Sequence, residues 1–267
     1  MTQLTLETIS VTTDDRGVAR LTLNRPEKHN ALNDVMIADL RHAAAVLGAD
    51  DGVRIVVLTG AGAGAFCSGG DFNWFKSMAA SDRQTRSKGS RELARMLGDL
   101  NSLPKPLIGR INGAAYGGGT GMISVCDYTV GVTSARFGLT EVRLGLIPAN
   151  ISPFVIKRMG EANARAVMLS GALFDANHAA KIGLLTETVD PADLDGRIDE
   201  IVENHLQAAP GAVAMTKELI AYVSTHSIAD NLLYTGDRLA DAWETDEGAA
   251  GIAAFLGKTT PPWRSKR

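Results

Sequence analysis

Cysteine is scarce: Cys67 and Cys126 are the only two in 267 residues. They stand too far apart in the chain to suggest a disulfide framework or a zinc site, and a reducing, cytoplasmic setting is expected. Five histidines, His29, His42, His178, His205 and His226, are scattered and none is paired at metal spacing, so no metal site is expected. Excess charge is missing as well. A net charge of −3 gives no electrostatic reason to expect nucleic acid or an anionic membrane surface. No apolar run reaches the length of a membrane span and no signal peptide opens the chain. The nucleotide fingerprints G-x-G-x-x-G and G-x-x-x-x-G-K-[ST] are absent. The nucleophile elbow G-x-S-x-G fails too, because Phe66 stands two residues before Ser68. Cys67 has no histidine near it in sequence and reads as a small packed residue. The basic ending "WRSKR" reads as a solvated tail.

What is present is a hydrophobic content of 45% with 21% charged residues, ordinary for one large domain or one domain with an appendage. Leu4–Val11 alternates, "TTDDRG" turns and Val18–Leu23 returns, a hairpin pattern. Asn33 is a candidate cap for a helix over Asp34–Leu47 that Gly48 would end. "VRIVVLTG" is a near-continuous apolar strand, as in a sheet covered on both faces. Asp71 is a candidate cap for a short helix, and Ala79–Ser90 reads as a mobile polar stretch before a helix over Arg91–Asn101. "LIGRIN" and "DYTVGV" read as strands, Arg136–Pro148 as a mostly apolar loop around one acid, and Phe154–Met159 and Ala162–Ser170 as helical pieces. From Leu194 onward only helical patterns occur. Strand–helix alternation followed by helices predicts an α/β fold with an all-helical C-terminal appendage, and Pro210-Gly211 is a candidate hinge.

Two glycine clusters follow strands, "LTGAGAGAFCSGGDF" and "AAYGGGTGM", the second with four glycines in nine residues. Backbone N–H groups at a helix start are unpaired and lie at the positive end of the helix dipole. Two such donors, at Gly70 and Gly118, would stabilise a developing oxyanion. Close backbone packing is the alternative reading of each cluster. Glu141 has Leu139, Val142, Leu144, Leu146 and Ile147 around it, and desolvation there would lift its pKa into a range suited to proton transfer. The alternative is an exposed glutamate paired with Arg143.

These blocks together, from "LTLNRPEKHNAL" through "VVLTGAGAGAFCSGGDF", "INGAAYGGGTGM", "CDYTV" and "FGLTEVRLGLIP" to "GIAAFLGK", resemble the crotonase family, the enoyl-CoA hydratase/isomerase superfamily. The resemblance runs over nearly the whole chain. It implies a spiral of ββα turns over residues 1–205 and a helical oligomerisation region over residues 206–267 that builds trimers, often paired as hexamers. It implies Gly70 and Gly118 as the oxyanion pair for an acyl-CoA thioester, with coenzyme A as part of the substrate and no metal or redox cofactor. Arg25, Lys28, Ala65 and Phe66 match positions that cradle the CoA moiety. Asp71 matches a position near the cofactor or caps its helix, and Trp243 and Lys258 match late positions that reach CoA, on a neighbouring subunit in some arrangements. Phe72, Trp74 and the polar stretch to Ser90 are expected to form the acyl pocket.

The chain departs from the usual hydratase pattern of two glutamates. Glu141 matches the second, but Gly121 stands where the first belongs, and "PANISPF" (Pro148–Phe154) replaces a glycine-rich stretch. Single-glutamate members include isomerases. "GGGTGMISVCD" and "TEVRLGLIPANISPFVI" are similar to bacterial methylglutaconyl-CoA hydratases of leucine breakdown, which implies that one glutamate suffices for hydration. Asn150 is then the candidate second group for ordering water. Some relatives bind RNA through a lysine-rich helix, but Asp34–Leu47 carries only Arg41 as a fixed positive charge, so no nucleic-acid partner is expected. The expectation is hydration of a short or branched 2-enoyl-CoA. A Δ3,Δ2-enoyl-CoA isomerase, or an acyl-CoA-binding homologue without catalysis, are the alternatives.

Overall fold

The computed structural model describes residues 3–264. Strands β1 (Gln3–Thr5), β2 (Ile9–Thr13) and β3 (Val18–Leu23) pair antiparallel in succession. The alternating stretch expected as one strand is two, because the Leu6 N–H turns back to donate to Ile9 O at 3.1 Å. The β2–β3 turn closes on the Asp14 carboxylate, which accepts from the backbone N–H of Arg16 (3.0 Å) and Val18 (2.9 Å). Helix α1 (Asp34–Ala49) starts at Asn33, whose side chain accepts from the Met36 N–H at 2.9 Å. It runs through Gly48, the expected stop, and buries Met36, Ile37, Leu40, Ala43, Ala44 and Leu47.

Two strands and a helical segment then recur. β4 (Ile55–Gly60) and β5 (Ala65–Cys67) lead to α2 (Phe72–Ala80) and α3 (Arg83–Asn101). β6 (Leu107–Ile111) and β7 (Ala114–Tyr116) lead to α4 (Gly118–Ser124). β8 (Tyr128–Val132) and β9 (Arg136–Gly138) lead to a 3₁₀ turn over Glu141–Leu144 and α5 (Ser152–Met168). After β10 (Phe174–Asp175) and α6 (Ala176–Lys181), β11 (Glu187–Val189) completes the sheets. In each turn the first strand joins one sheet, ordered β1-β2-β3-β4-β6-β8-β11 and parallel from β3 onward. The second strand joins another, ordered β10-β9-β7-β5 and parallel except at β10. This is the spiral of ββα turns, an α/β fold in which all of β4 is buried between covering layers.

Two expectations along this spiral are corrected. The mobile polar stretch is the first half of α3: the Asp82 carboxylate accepts from the Thr85 N–H at 2.7 Å and starts the helix at Arg83. Its apolar anchoring begins only at Leu93, which is why the earlier half reads as unstructured. Arg136–Pro148 is not a plain loop, since β9 and the 3₁₀ turn lie within it. The two expected helical pieces are present in α5, which breaks at Gly160 (φ 77°, ψ 158°).

Helix α7 (Leu194–His205) buries Leu194, Ile198, Ile201 and Val202. In α8 (Pro210–Val223), α9 (Ile228–Glu244) and α10 (Asp246–Leu256) only Ala254 is buried, while Ile228, Leu232, Leu233 and Phe255 are exposed. Of the expected solvated tail, Trp263 is half buried, with its indole N–H donating to Gln207 O at 3.2 Å. Residues 265–267 lie outside the described residues. Among the described residues, no helix is long and apolar enough to cross a membrane.

Candidate active site

Strands β5, β7 and β9 lie side by side and parallel, so their carboxyl ends open on one edge of the second sheet. That is where parallel sheets bind ligands. A cleft of about 640 Å³ lies there, lined by Ser68–Gly70 after β5, Gly117 and Gly118 after β7, and Thr140 and Glu141 after β9. Three successive turns of the spiral therefore each contribute one part of the site.

Gly70 owes its direction to a strand-like pairing. Leu32 N–H donates to Gly69 O at 2.7 Å and Asp71 N–H donates to Leu32 O at 2.8 Å, a parallel bridge. Both bonds go to the residues flanking Gly70, which turns its own N–H away from Leu32. That N–H meets no acceptor among the described residues, and Gly70 lines the cleft. The expected helix start at Gly70 is thus displaced by two residues. Asp71 caps α2 instead, accepting from the N–H groups of Asn73 (2.8 Å) and Trp74 (3.3 Å).

Gly118 is the first residue of α4, so its N–H has no partner within the helix. Gly117 before it has φ 47°, a left-handed value that suits glycine, and its N–H donates to Gly138 O at 3.0 Å, fastening this loop to β9. A Cβ on Gly117 would lie 2.9 Å from Glu141 Oε1, so the acid sits directly against the second donor loop. Gly119 serves a different purpose. A Cβ there would meet Cys67 O at 2.4 Å, so this glycine permits the close approach of α4 and β5 that brings both donors to one cleft.

Glu141 is half buried at the start of its 3₁₀ turn, and its Oε2 is buried without a hydrogen-bond partner among the described residues. Burial pushes its carboxyl above the usual carboxylate range. The alternative pairing with Arg143 is not made: Arg143 turns away and its Nε donates to Ser170 O at 3.1 Å.

Gly121, at the position of the missing glutamate, has no free space beside it. A Cβ there would lie 2.6 Å from Ile151 Cγ2 and 3.4 Å from Leu97 Cδ1. Ile151 of the "PANISPF" stretch thus occupies the space into which a side chain at 121 would project. Asn150, beside it, lines the cleft, and the Ser90 hydroxyl donates to its Oδ1 at 2.5 Å.

The remaining candidates divide. Trp74 lines the cleft and its indole N–H donates to Asp34 at 2.7 Å. Phe72 does not line it; it is 80% exposed, and Phe75, packed edge-to-face with Trp74, forms the wall. Arg25 pairs with Asp71 at 3.0 Å and also donates to Ala31 O at 2.6 Å, tying the α2 start to the loop after β3. Lys28 is exposed on a 3₁₀ turn near that loop. Ala65 and Phe66 are in the core, Phe66 at 0% exposure, so the Phe66 side chain is not available to a ligand. Trp243 and Lys258 are exposed and lie outside the cleft of their own chain. Cys67 is a packed thiol, pushed up to about 12 by burial. Arg41 is tied to Glu92 (2.6 Å) and Asp99 (2.7 Å). No cluster of three or more metal-ligating side chains occurs among the described residues.

Sequence reading missed Leu32, Phe75 and Ile151, and it covered Arg86 only as an unnamed part of the polar stretch to Ser90. The i, i+4, i+7 spacing of Arg86, Ser90 and Leu93 on one helical face was the available signal for Arg86. No local pattern reports the Ile151–Gly121 contact.

Comparison with known proteins shows the family. The family model described as enoyl-CoA hydratase/isomerase matches residues 13–266. A short-chain-enoyl-CoA hydratase of Clostridium acetobutylicum is 30% identical over 243 residues, covering 90% of this chain and 92% of its own. A 1,2-epoxyphenylacetyl-CoA isomerase of Escherichia coli is 31% identical over 263 residues, covering 94% and 97%. The crystal structure of an enoyl-CoA hydratase from Shewanella pealeana superposes with a TM-score of 0.93 at 34% identity, covering 97% of this chain and 96% of that one. With the family model spanning nearly the whole chain and the spiral fold shared, the protein belongs to the enoyl-CoA hydratase/isomerase family.

Proposed function

We propose that the protein adds water reversibly across the double bond of a short or branched 2-enoyl-CoA, with 3-methylglutaconyl-CoA as the first candidate substrate. The observation that carries this reading is the buried, unpartnered Oε2 of Glu141 beside two backbone N–H groups that share its cleft. The thioester oxygen accepts from Gly70 and Gly118. Glu141 takes a proton from water, whose oxygen bonds to C3, and the double-bond electrons move onto the thioester oxygen as an enolate. The enolate collapses as Glu141 returns the proton to C2, so the net change is one water added. A carboxyl raised by burial suits taking and then giving back a proton. Donors fixed before reaction stabilise the enolate without reorganisation. With its Oδ1 held by Ser90, Asn150 presents its amide nitrogen to the water, the part a second carboxylate plays elsewhere.

In this reading coenzyme A is part of the substrate and no metal or redox cofactor takes part. Lys28 and the main chain at Ala65 and Phe66 meet the CoA moiety, with Arg25 and Asp71 bracing the loop. The exposed apolar faces of α8–α10 over residues 206–267 assemble a homotrimer or a dimer of trimers in the cytoplasm, and that assembly brings Trp243 and Lys258 to a neighbour's CoA.

Mass spectrometry in heavy-oxygen water tests the chemistry, with 3-methylglutaconyl-CoA, crotonyl-CoA and a 3-enoyl-CoA incubated separately. Gain of water carrying the heavy oxygen supports hydration. Conversion of the 3-enoyl-CoA to its 2-enoyl isomer without water uptake selects the isomerase reading, which the single glutamate favours. Binding of all three without turnover identifies a non-catalytic acyl-CoA-binding homologue.

A further inference from the structure

The cleft wall holds two fixed charges among the described residues, Glu141 and Arg86. Arg86 lies on α3 on the same face as Ser90 and Leu93, all three lining the cleft. At 1.5 Å per residue, Arg86 stands about 6 Å beyond Ser90 along the helix. Ser90 touches Asn150, next to the Ile151 that packs on Gly121, so the ladder from Leu97 to Arg86 leads from the reacting end of the cleft outward. Around it the walls are apolar: Trp74, Phe75, Met78, Leu144 and Ile147.

Arg86 makes no ion pair among the described residues. Its Nε donates to Met78 O at 3.0 Å and its Nη2 to Ser81 O at 2.5 Å and Ala79 O at 3.5 Å, while Nη1 has no acceptor among the described residues. Asp82, one turn earlier at the start of α3, acts on Arg86 through space but does not contact it. An exposed guanidinium in contact with no carboxylate among the described residues, held by carbonyls at the end of α2 and lining a mainly apolar cleft, is a receptor for an anion. Glu141 repels a second carboxylate placed close to it. The two charges together orient an acyl chain with its reactive end at Glu141 and an anionic end at Arg86.

We propose that Arg86 is a specificity-determining residue that selects enoyl-CoA substrates whose acyl chain ends in a carboxylate. This rests on the acyl chain lying in this cleft, as in the proposed function. Two measurements separate the claims. The first is calorimetric binding of the unreactive pair glutaryl-CoA and butyryl-CoA to the full-length protein, which requires no turnover. The second is the ratio of kcat/KM for 3-methylglutaconyl-CoA over crotonyl-CoA in the wild type, Arg86→Gln and Arg86→Lys.

Glutaryl-CoA should bind more tightly than butyryl-CoA, and that preference should fall about 10- to 100-fold in Arg86→Gln, the worth of one charge-assisted hydrogen bond. Arg86→Lys, which keeps the charge, should restore part of it. The kcat/KM ratio should follow the same order. Equal binding of the two analogues by the wild type overturns the proposal. So does a proportional loss for both substrates in Arg86→Gln, which marks Arg86 as only a tie on α2. A glutaryl preference that depends on Arg86 with no hydration of any enoyl-CoA leaves this proposal standing and defeats the hydratase reading alone.

Discussion

The contact between Gly121 and Ile151 makes a prediction whose sign changes with background. A Cβ on Gly121 would lie 2.6 Å from Ile151 Cγ2, and Ile151 is 2% exposed at the start of α5, where it has little room to move. Overpacking of this kind costs ~1–3 kcal/mol. Replacing a helical glycine by alanine returns ~0.5–1 kcal/mol. Gly121→Ala should therefore destabilise the wild type by up to ~2 kcal/mol. Ile151→Ala alone removes buried methyl groups and leaves a cavity, at ~2–5 kcal/mol. In that background the same Gly121→Ala meets no Cγ2, and the Cβ that remains at 151, 3.1 Å away, has to give by only a few tenths of an ångström beside the new cavity. The substitution keeps the helical gain and puts about one methyl, worth ~0.8 kcal/mol, into the cavity. The double variant should thus be more stable than Ile151→Ala by ~1–2 kcal/mol. Urea unfolding at a single protomer concentration measures all four forms, the concentration being held because assembly shifts apparent stability. Additive effects would show that the two positions do not share this space and would refute the packing argument.

Glu141→Gln should lower turnover by about 10²–10⁴-fold, the usual worth of an acid–base group, as measured by steady-state kinetics. It should also change the pH dependence of stability. Burial raises the folded-state value of Glu141 above the unfolded one, so the folded protein binds more protons between the two. Its contribution is full below the unfolded value and is lost as pH rises through the raised folded value. Glu141→Gln should therefore be more stable than wild type at pH 7 and lose that advantage in acid; an advantage that grows in acid would contradict the argument. Burial alone would raise Asp71, but its bonds with Arg25 and two backbone N–H groups outweigh burial and hold it low. That stability is present above the ordinary carboxylate range and lost as pH falls through the depressed value. Asp71→Asn, which keeps a cap but loses the charge, should cost about 2 kcal/mol at pH 7, between the values of surface and fully buried pairs, and the loss should shrink in acid melts. Gly117→Ala forces a side chain to φ 47° and crowds Glu141 Oε1, so it should cost ~1–2 kcal/mol in unfolding and lower turnover by a larger factor than that strain alone implies.

Much of the fold was legible because long elements carry their own period. The apolar run of β4, the Asn33 cap of α1 and the helices after Leu194 all announce themselves over several residues. The second sheet did not. β5, β7 and β9 are three residues each, too short for any period, and exist through pairing with strands distant in sequence. The site suffered from the same limit in part. Gly118 and Glu141 were legible from a strand, a glycine run and a lone acid among apolar residues. The orientation of Gly70 was not, because it depends on Leu32, nearly forty residues earlier in the chain; nor was Phe75 in place of Phe72, because the expected Asp71 cap fixes where the short helix starts but not which of its faces meets the cleft.

The glycines of the two clusters do two kinds of work. Gly119 carries no side chain because another backbone occupies that space, and Gly121 because Ile151 does. Gly70 and Gly118 are crowded too, with a Cβ falling 2.5 Å from Phe75 Cε2 and from Leu32 Cδ1 respectively, but they also present N–H groups with no acceptor among the described residues to the cleft. The first kind is what makes the second possible. Only if α4 approaches β5 as closely as Gly119 allows do donors from two different turns of the spiral share one cleft. A substitution at Gly119 that touches no substrate should accordingly damage turnover as severely as one at the donors themselves, since the backbone of Cys67 has nowhere to retreat within a fully buried strand.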